Sequence, residues 1–420
     1  MLKVGESYQS KVIGLDYKGD GIINLLDNYI YVPGALEGEL VDFKLTKFKK
    51  GIGFGKLIKI RQKSDSRVSD YNNLGSLNLA HLEFSKQLEW QSRVTKETFE
   101  KVFKREIEVK PIITDNVTTN YRNKVTFHLL DSRKIKLGLY EANSKKLVEV
   151  NDFLLANKSA NEVLKTINSS NIDVDFKKLR HIMIKNNSSN ELLVTLVSHN
   201  RSFFGKDELI ELISQNPRVK GITLNIKLSE EVILGNKSTV LYGVGELKEG
   251  NLLMTDQSFM QVNFGVMNLT NATIKHYINE TKIIDAYSGI GSIVYSILDS
   301  TMKAVLIESS LANIKLATKI KEANNLNNVE IVHDLAENAI GNFDAKNLIV
   351  DPPRVGLKES FVNVIKRQLP SRVIYLSCNL QTLIRDVRLL EEYYDFEAIY
   401  PVKMFPQTNS FETLVILNKK

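Results

Sequence analysis

The C-terminal part of the chain alternates short apolar runs with helix-forming segments, and this alternation restricts the fold more than any other feature of the sequence. The apolar runs fall at residues 283–286, 304–307, 329–332, 348–350 and 373–376. Segments with helical patterning lie between them, at 290–298 and 311–324, and another follows at 382–393. Repeated strand and helix predict a parallel sheet covered on both faces. Ligands of such sheets bind beyond the carboxyl ends of the strands.

The rest of the chain divides into two further regions. Short β-rich runs separated by glycine-rich turns occur at 9–15, 29–32 and 39–46, and they predict a small barrel of the OB type. Strand-like runs at 124–130, 193–198 and 219–226 fall among shorter helical segments. We therefore predict an α/β protein with an N-terminal OB-like barrel, a central α+β domain and a C-terminal Rossmann-like domain, at 1–60, 61–255 and 256–420.

A helix is predicted near residues 82–105. Its apolar positions recur at the helical period and are Phe84, Leu88, Phe99, Val102 and Phe103. Gln91 and Thr95 interrupt this apolar stripe. The helix is a candidate to pack on the C-terminal domain.

Composition favours an anionic partner and a location outside the membrane. No apolar stretch is long enough to span a bilayer, and the first residues lack the apolar region of a signal peptide, so the cytoplasm is the expected location. The net charge is +7, and basic residues cluster with Phe43, Phe48 and Phe54 in one N-terminal segment. Interleaved cations and aromatics suit phosphate contact and base stacking, so we predict RNA contacts from Lys44, Lys47, Lys49 and Lys50.

Cys378 is the only cysteine of the chain and stands directly after the apolar run 373–376. A single cysteine excludes an internal disulfide, and thiolate zinc sites and iron-sulfur clusters usually need several cysteines. An isolated cysteine is more often a small buried hydrophobe than a reactive group. Its place at the ligand end of a strand, ahead of a helix, makes Cys378 a candidate nucleophile.

The turns after the other strands contain groups that suit a nucleoside ligand. Asp285 is followed by a turn that contains Gly289 and Gly291, and Glu308 follows the next strand, where an acidic side chain can bind ribose hydroxyls. Asp334 ends the third strand, within expected reach of a purine base. The third glycine of a dinucleotide fingerprint and the Gly-Lys-Ser/Thr of a phosphate loop are both missing. This pattern favours S-adenosylmethionine over NAD or ATP.

The fourth strand ends in Asp351-Pro352-Pro353-Arg354. Two successive prolines fix φ and remove two backbone donors, which gives a rigid loop. The loop can therefore hold Asp351 and Arg354 in place at the ligand end of the sheet. The alternative is a proline-stiffened surface loop.

These motifs together resemble the S-adenosylmethionine-dependent RNA uracil-C5 methyltransferases, and among them the subgroup with an N-terminal TRAM domain. The resemblance covers nearly the whole chain. Its motifs are 285–291, 351–354, the Ser377-Cys378-Asn379 segment up to Asp386, the segment from Phe405 to Glu412, and also 121–124 and 259–263.

The chemistry of that family gives these residues roles. C5 of uracil is a poor nucleophile, and addition of a thiolate to C6 produces an enolate that can attack a methyl sulfonium. The resemblance implies that Cys378 is this nucleophile and that Glu412 removes the C5 proton. It implies that Asp351 and Arg354 position the uracil. It also implies a cofactor site lined by Gln261, Tyr287, Ser292, Glu308, Asp334 and Asp351.

The sequence departs from the family pattern at several positions. The four cysteines that bind an iron-sulfur cluster in many members are replaced, so we expect no cluster and a small hydrophobic core formed by Val68, Leu74, Leu77 and Phe153. Three motif residues also differ, and they are Ser288, Leu380 and Ser410. We expect no metal site.

The resemblance implies an RNA substrate whose target uridine is flipped into a pocket. TRAM-bearing relatives tend to modify large-subunit ribosomal RNA, so 23S rRNA is the favoured target and a monomer the expected state. The alternatives are a tRNA m5U methyltransferase and a non-catalytic RNA-binding or ribosome assembly factor. An adenine methyltransferase is disfavoured because it has no need for Cys378.

Overall fold

The computed structural model describes residues 2–72, 74, 76–142, 144–227, 229, 232–344 and 346–420. The chain forms two units. The first contains residues up to Ile112 together with Glu141–Ser144 and Phe405–Phe411, and the second contains Ile113–Tyr140, Lys145–Met404 and Glu412–Lys420.

The first unit begins with a six-stranded sheet of order β1-β5-β6-β4-β3-β2. The strands are β1 (Ser7–Lys11), β2 (Gly14–Leu15), β3 (Gly21–Leu25), β4 (Asn28–Val32), β5 (Leu40–Lys49) and β6 (Ile52–Gln62). All neighbours are antiparallel except β4 and β6. Alternate side chains form one core that includes Val12, Ile23, Ile30, Val41 and Phe43. The sheet is consistent with the predicted barrel, because residues from its separate strands share this core.

A buried ion pair joins the sheet to the segment that follows it. The Arg67 Nε atom lies 2.6 Å from Glu39 Oε1, and both side chains are almost completely buried. Glu39 also accepts a hydrogen bond from the backbone N–H of Leu36 at 2.8 Å. These bonds compensate for the removal of both charges from water.

Helix α1 (Phe84–Phe103) follows in the first unit and buries a more polar face than the sequence suggests. Gln91 and Thr95 are fully buried, whereas Phe84 and Leu88 are only half-buried. Gln91 and Thr95 interrupt the apolar stripe of the helix but still lie on its buried face. Buried polar side chains are tolerated when they bond locally, and the Thr95 hydroxyl donates to the Gln91 carbonyl at 2.9 Å.

The second unit contains a seven-stranded, mostly antiparallel sheet of order β13-β12-β11-β10-β7-β8-β9. Its strands are β7 (Lys124–Leu129), β8 (Leu137–Tyr140), β9 (Leu147–Glu149), β10 (Leu179–Asn186), β11 (Leu192–Ser198), β12 (Val219–Ile226) and β13 (Lys237–Gly243). Helices α2 (Lys158–Ser169) and α3 (Lys206–Ser214) pack against it and against each other. A hairpin of β14 (Glu246–Glu249) and β15 (Leu252–Thr255) follows, and then α4 (Phe264–Tyr277).

A second seven-stranded sheet, of order β18-β17-β16-β19-β20-β22-β21, follows in the same unit. Its strands are β16 (Lys282–Ala286), β17 (Lys303–Glu308), β18 (Val329–His333), β19 (Asn347–Val350), β20 (Arg372–Ser377), β21 (Tyr394–Val402) and β22 (Glu412–Lys419). The helices are α5 (Ser292–Ile297), α6 (Leu311–Ala323), α7 (Ala336–Ala339), α8 (Glu359–Gln368) and α9 (Leu380–Leu390). The strands from β16 to β20 are parallel, and β22 and β21 are antiparallel.

The predicted fold class is confirmed, since a Rossmann-like parallel sheet, a mixed α+β region and an N-terminal β-domain are all present. The division into three domains at 1–60, 61–255 and 256–420 remains a prediction. No helix among the described residues combines the length and the apolar composition that a membrane crossing requires.

Candidate active site

The predicted site residues of the parallel sheet arrive at one edge. Strands β17 and β19 lie on either side of β16, which is the point where the strand order reverses. Ligands of open α/β sheets bind at such a point, beyond the carboxyl ends of the strands. The groups that follow these ends are the turn 287–291, Glu308, Asp334, Asp351 and Cys378.

The turn after β16 has a backbone shape that favours glycine. Gly289 and Gly291 have φ values of 57° and 83°, and Tyr287 has a φ of 64°. A Cβ atom at Gly291 would lie 2.6 Å from the Tyr295 ring. The left-handed backbone and this close packing therefore require glycine at Gly291.

Glu308 holds this turn in place, and its carboxyl oxygens can still accept further hydrogen bonds. Its Oε2 atom accepts from the backbone N–H of Gly289 at 2.9 Å, and its Oε1 atom accepts from the N–H of Ser310 at 2.7 Å. A carboxylate has about four lone-pair positions, so each oxygen can accept another bond. Asp334 is exposed, and its Oδ1 atom accepts from Leu335 and Asn338 at the start of α7. Asp334 therefore supports the helix and leaves Oδ2 available.

Three carboxyl groups form an acidic cluster, which consists of Asp285, Asp351 and Glu412. Asp285 is 1% exposed, and neither of its carboxyl oxygens has a hydrogen-bond partner among the described residues. Burial, followed by the charges of Asp351 and Glu308, raises the pKa of Asp285 well above its usual value. Burial raises the pKa of Asp351 to about 7, against a weak bond from Gln261 Nε2 at 3.4 Å. Such a cluster suits a cationic ligand.

Glu412 lies beside Cys378 because of strand register. It is the first residue of β22, and its neighbour Thr413 pairs with Ser377, the last residue of β20. Glu412 is 3% exposed, and its Oε2 atom has no hydrogen-bond partner among the described residues. Burial and the charge of Asp351 raise the pKa of Glu412 well above its usual value.

The Cys378 thiol is half-buried between β20 and α9. Burial and the neighbouring carboxylates of Glu412 and Asp351 raise the pKa of Cys378 above its usual value, whereas the charge of Arg354 and a hydrogen bond to it lower that pKa. The net effect disfavours the thiolate form of Cys378. Arg354 is the group that favours the thiolate.

Helix α9 holds the loop that carries Arg354. The side chains of Asn379 and Thr382 donate to the Arg354 carbonyl at 3.0 and 3.2 Å. The buried Asp386 carboxylate accepts from the Leu357 N–H at 2.7 Å and from the Tyr375 hydroxyl at 2.8 Å. These contacts join the loop 354–357 to the same helix that begins beside Cys378.

Asp386 and Tyr375 were given no role by the sequence analysis. Asp386 belongs to a recognised motif, but its carboxylate is fully buried, and only the structure shows which groups it binds. The tight packing is visible at Gly356, where an added Cβ would lie 2.4 Å from Asp386 Oδ2. One signal for this role was available. Asp386 directly follows Arg385 in a helix, and that helix lies next to a proline-rich loop.

The remaining predicted cofactor residues also border this edge. Gln261 is buried, and its carbonyl accepts from the Asn123 side chain at 2.8 Å. The Tyr287 ring packs against Phe361 at a centroid distance of 5.4 Å. Ser292 is the half-buried first residue of α5.

The predicted RNA-binding segment is partly exposed. Lys44, Lys47, Lys49 and Lys50 all lie at the surface of β5 and its turn. Phe54 is 46% exposed and packs beside Tyr31. Phe43 is completely buried in the sheet core. The suggestion that Phe43 stacks on bases was wrong, because strand alternation turns its side chain inward.

One residue at the expected cluster positions lies outside any hydrophobic core. Leu77 and Phe153 are each 3% exposed, but Val68 is 62% exposed. The predicted core that includes Val68 was therefore wrong. Among the described residues, no group of three or more histidine, cysteine, aspartate or glutamate side chains is arranged to hold a metal ion.

The Asp386 contacts predict the reactivity of the single thiol. In Asp386→Asn the loop should lose its anchor and Arg354 its fixed position, so the pKa of Cys378 should rise and its alkylation by iodoacetamide at pH 8 should slow several-fold. Arg354→Met, a substitution at an exposed position, should also raise the pKa of Cys378 and slow its alkylation. The pH dependence of alkylation measures both effects. Asp344→Asn, which removes an exposed carboxylate from the other end of the sheet, is the control. An unchanged pH midpoint in both test variants would contradict the assignment.

The unpartnered Asp285 predicts a pH-dependent stability. A carboxyl group whose pKa is raised on folding stabilises the folded state below its unfolded pKa, and this contribution is lost as pH rises toward the folded pKa. Asp285→Asn should therefore stabilise the protein relative to wild type above about pH 4, by up to about 1.4 kcal/mol per pH unit. Thermal unfolding between pH 5 and 8 measures the difference. Asp395→Asn, a substitution at an exposed strand position, is the control. Its difference in unfolding free energy from wild type should not grow with pH.

Comparisons with known proteins identify the family of this chain. The family model described as tRNA (uracil-5-)-methyltransferase matches residues 83–420. An uncharacterized RNA methyltransferase of Staphylococcus aureus is 30% identical over 97% of this chain and 97% of its own length. One from Caldanaerobacter subterraneus is 30% identical over 100% of this chain and 99% of its own length.

A solved structure shares the fold. The Pyrococcus abyssi tRNA (uracil-54, C5)-methyltransferase, in complex with S-adenosyl-L-homocysteine, superposes with a TM-score of 0.77. It is 21% identical, and the match covers 98% of this chain and 100% of that chain. Since the family model spans most of the sequence and full-length relatives reach 30% identity, this chain belongs to the tRNA (uracil-5-)-methyltransferase family.

Proposed function

We propose that this protein methylates C5 of a specific uridine in RNA, with S-adenosylmethionine as methyl donor, Cys378 as nucleophile and Glu412 as general base. The observation that carries the proposal is the adjacency of Cys378 and Glu412, which follows from the pairing of Ser377 with Thr413. A thiol beside a buried carboxyl group is the pair that this chemistry needs, since one adds to the base and the other removes a proton.

The acidic cluster supports the proposed cofactor. S-adenosylmethionine carries a sulfonium and an ammonium group, and both would compensate the unpartnered carboxyl oxygens of Asp285. When bound, this cofactor supplies an electrophilic methyl group. Glu308 would accept bonds from the ribose hydroxyls with its remaining lone pairs. Gln261, Tyr287, Ser292, Asp334 and Asp351 complete the proposed site.

Cys378 and Arg354 would act first. The Arg354 guanidinium lowers the pKa of the thiol, and the thiolate that forms when the thiol proton passes to solvent would add to C6 of uracil. Electron density then shifts to C5, which becomes able to accept the methyl group. Asp351 and Arg354, on the rigid proline loop, would hold the uracil ring in place.

Glu412 would act after methyl transfer. Burial and the charge of Asp351 raise its pKa, so in its ionised form Glu412 is a stronger base than an exposed glutamate. Positive charge in the acidic cluster would favour that ionised form. Removal of the C5 proton restores the C5–C6 double bond and releases the Cys378 sulfur.

The proposed target is a uridine of 23S rRNA, and a tRNA uridine is the second candidate. The N-terminal barrel with its exposed lysines favours a large RNA, because it adds phosphate contacts to those of the catalytic domain. The second candidate has support from one observation. The Pyrococcus abyssi enzyme, whose name specifies tRNA, matches 98% of this chain, so a similar N-terminal domain occurs in an enzyme that acts on tRNA.

Two substitutions test the mechanism. Cys378→Ala should abolish methyl transfer and leave RNA binding intact. Glu412→Gln should accumulate a covalent complex between the protein and methylated RNA, because addition and methyl transfer proceed while proton removal fails. Denaturing electrophoresis with labelled RNA detects this complex, and the double variant Cys378→Ala, Glu412→Gln should lack it. Normal turnover by either single variant would refute the assigned role.

A deletion strain tests the target. Mass spectrometric mapping of 5-methyluridine in 23S rRNA and in bulk tRNA should show one or more sites lost from 23S rRNA and regained when the wild-type gene is restored. Complementation with Cys378→Ala should not regain them. Loss from tRNA alone would select the second candidate, and loss from neither RNA would contradict the proposed function.

A further inference from the structure

A groove lies between strand β13 and helix α6. Its volume is about 670 Å³, and its walls come from β12, β13, the segment Thr255–Ser258 and the first half of α6. The two walls continue in sequence into the candidate active site. Ser258 precedes Gln261 by three residues, and α6 begins three residues after Glu308.

The groove is basic. Among the described residues that line it, the basic side chains are Arg201, Lys237, Lys315 and Lys319, and the acidic one is Asp256. The four basic residues are exposed, whereas Asp256 is 5% exposed. Lys319 also pairs with Glu246. The charge presented to solvent is therefore positive, because the carboxylate lies at the floor and the cations lie at the rim.

Hydrogen bonds fix the floor of the groove. The Asp256 carboxylate accepts from the hydroxyls of Ser238 and Thr223, so strands β12 and β13 hold it in place. Below it, the buried Lys185 ammonium donates to the carbonyls of Thr255 and Ser258 at 2.6 Å each. These contacts tie β12, β13 and the segment Thr255–Ser258 together into one rigid floor.

We propose that this β13–α6 groove binds the sugar-phosphate backbone of the RNA substrate outside the flipped uridine. This inference rests on the proposed function, since it supplies a second contact for the same RNA. The described lining residues include no aromatic side chain, so the groove offers phosphate contacts and hydroxyl donors but no stacking surface for bases. Lys237 and Lys315 face the groove from opposite walls. A strand of RNA along the groove would contact both.

Salt dependence provides the test. We expect Lys237→Gln, Lys315→Gln to lower the slope of log affinity against log salt by about 1.4 to 1.8, which corresponds to two lost phosphate contacts. At 0.15 M salt the Kd should rise by roughly tenfold. The probes are unmodified transcripts of 23S rRNA and of a tRNA, measured by filter binding with the full chain. The KM of this double variant for the RNA that serves as substrate should rise, and its kcat at saturating RNA should stay unchanged.

A matched variant controls for net charge. Lys282→Gln, Lys346→Gln removes the same charge at the opposite edge of the sheet, where both lysines pair with Asp344. It should leave the salt slope unchanged. An equal effect of both double variants, or no effect of the groove variant, would overturn the proposal. Loss of S-adenosylmethionine affinity with RNA binding intact would also overturn it, by assigning the groove to the cofactor.

The proposal and the proposed function fail in different ways. If wild-type protein methylates neither RNA, the proposed function fails, whatever the salt slopes. If methylation proceeds normally and the groove variant keeps the wild-type slope, only the groove assignment fails.

Discussion

The arrangement of the site depends on how strand β20 is paired. On one side β20 runs parallel to β19, and on the other it runs antiparallel to β22. The carboxyl end of β20 and the amino end of β22 therefore meet at the same edge of the sheet. A thiol that follows one strand and a carboxyl group that starts the other become neighbours although the sequence separates Cys378 from Glu412 by a complete helix and a strand. Register, which is set by backbone hydrogen bonds, determines this contact more than any side chain does.

The charged groups at this edge of the sheet lower the stability of the folded protein and favour a reactive site. Asp285, Asp351 and Glu412 raise one another's pKa values or are raised by burial, and this arrangement costs free energy in the folded protein. Arg354 is held against the thiol by a loop that Asp386 anchors from below. The negative and positive groups thus face the same space from different elements. A cluster of carboxyl groups with strongly perturbed pKa values is typical of a functional site.

The sequence was sufficient for the parallel sheet and for the residues at its carboxyl edge, because strands β16 to β20 are continuous apolar runs with polar residues immediately after them. Other elements escaped prediction. Strands β21 and β22 were not predicted, although Pro406 and the residues 408–410 between them are turn-forming. The adjacency of Glu412 to Cys378 therefore came only from family resemblance. Gln91 and Thr95 interrupt the apolar stripe of α1, and composition does not reveal that both side chains are buried. Val68 was placed in a core by analogy, and its exposure shows that replaced ligands need not become packing residues.

The raised pKa of Cys378 has a consequence for the lifetime of the protein. Oxidants such as peroxide react with thiolates far faster than with thiols. Burial and the acidic neighbours raise the pKa of the half-buried Cys378 thiol, which disfavours the thiolate and therefore slows sulfenic acid formation. Since the chain has no second cysteine to form a disulfide with an oxidised Cys378, such damage could not be reversed within the molecule. The acidic neighbours of the thiol thus preserve the one sulfur atom on which turnover would depend.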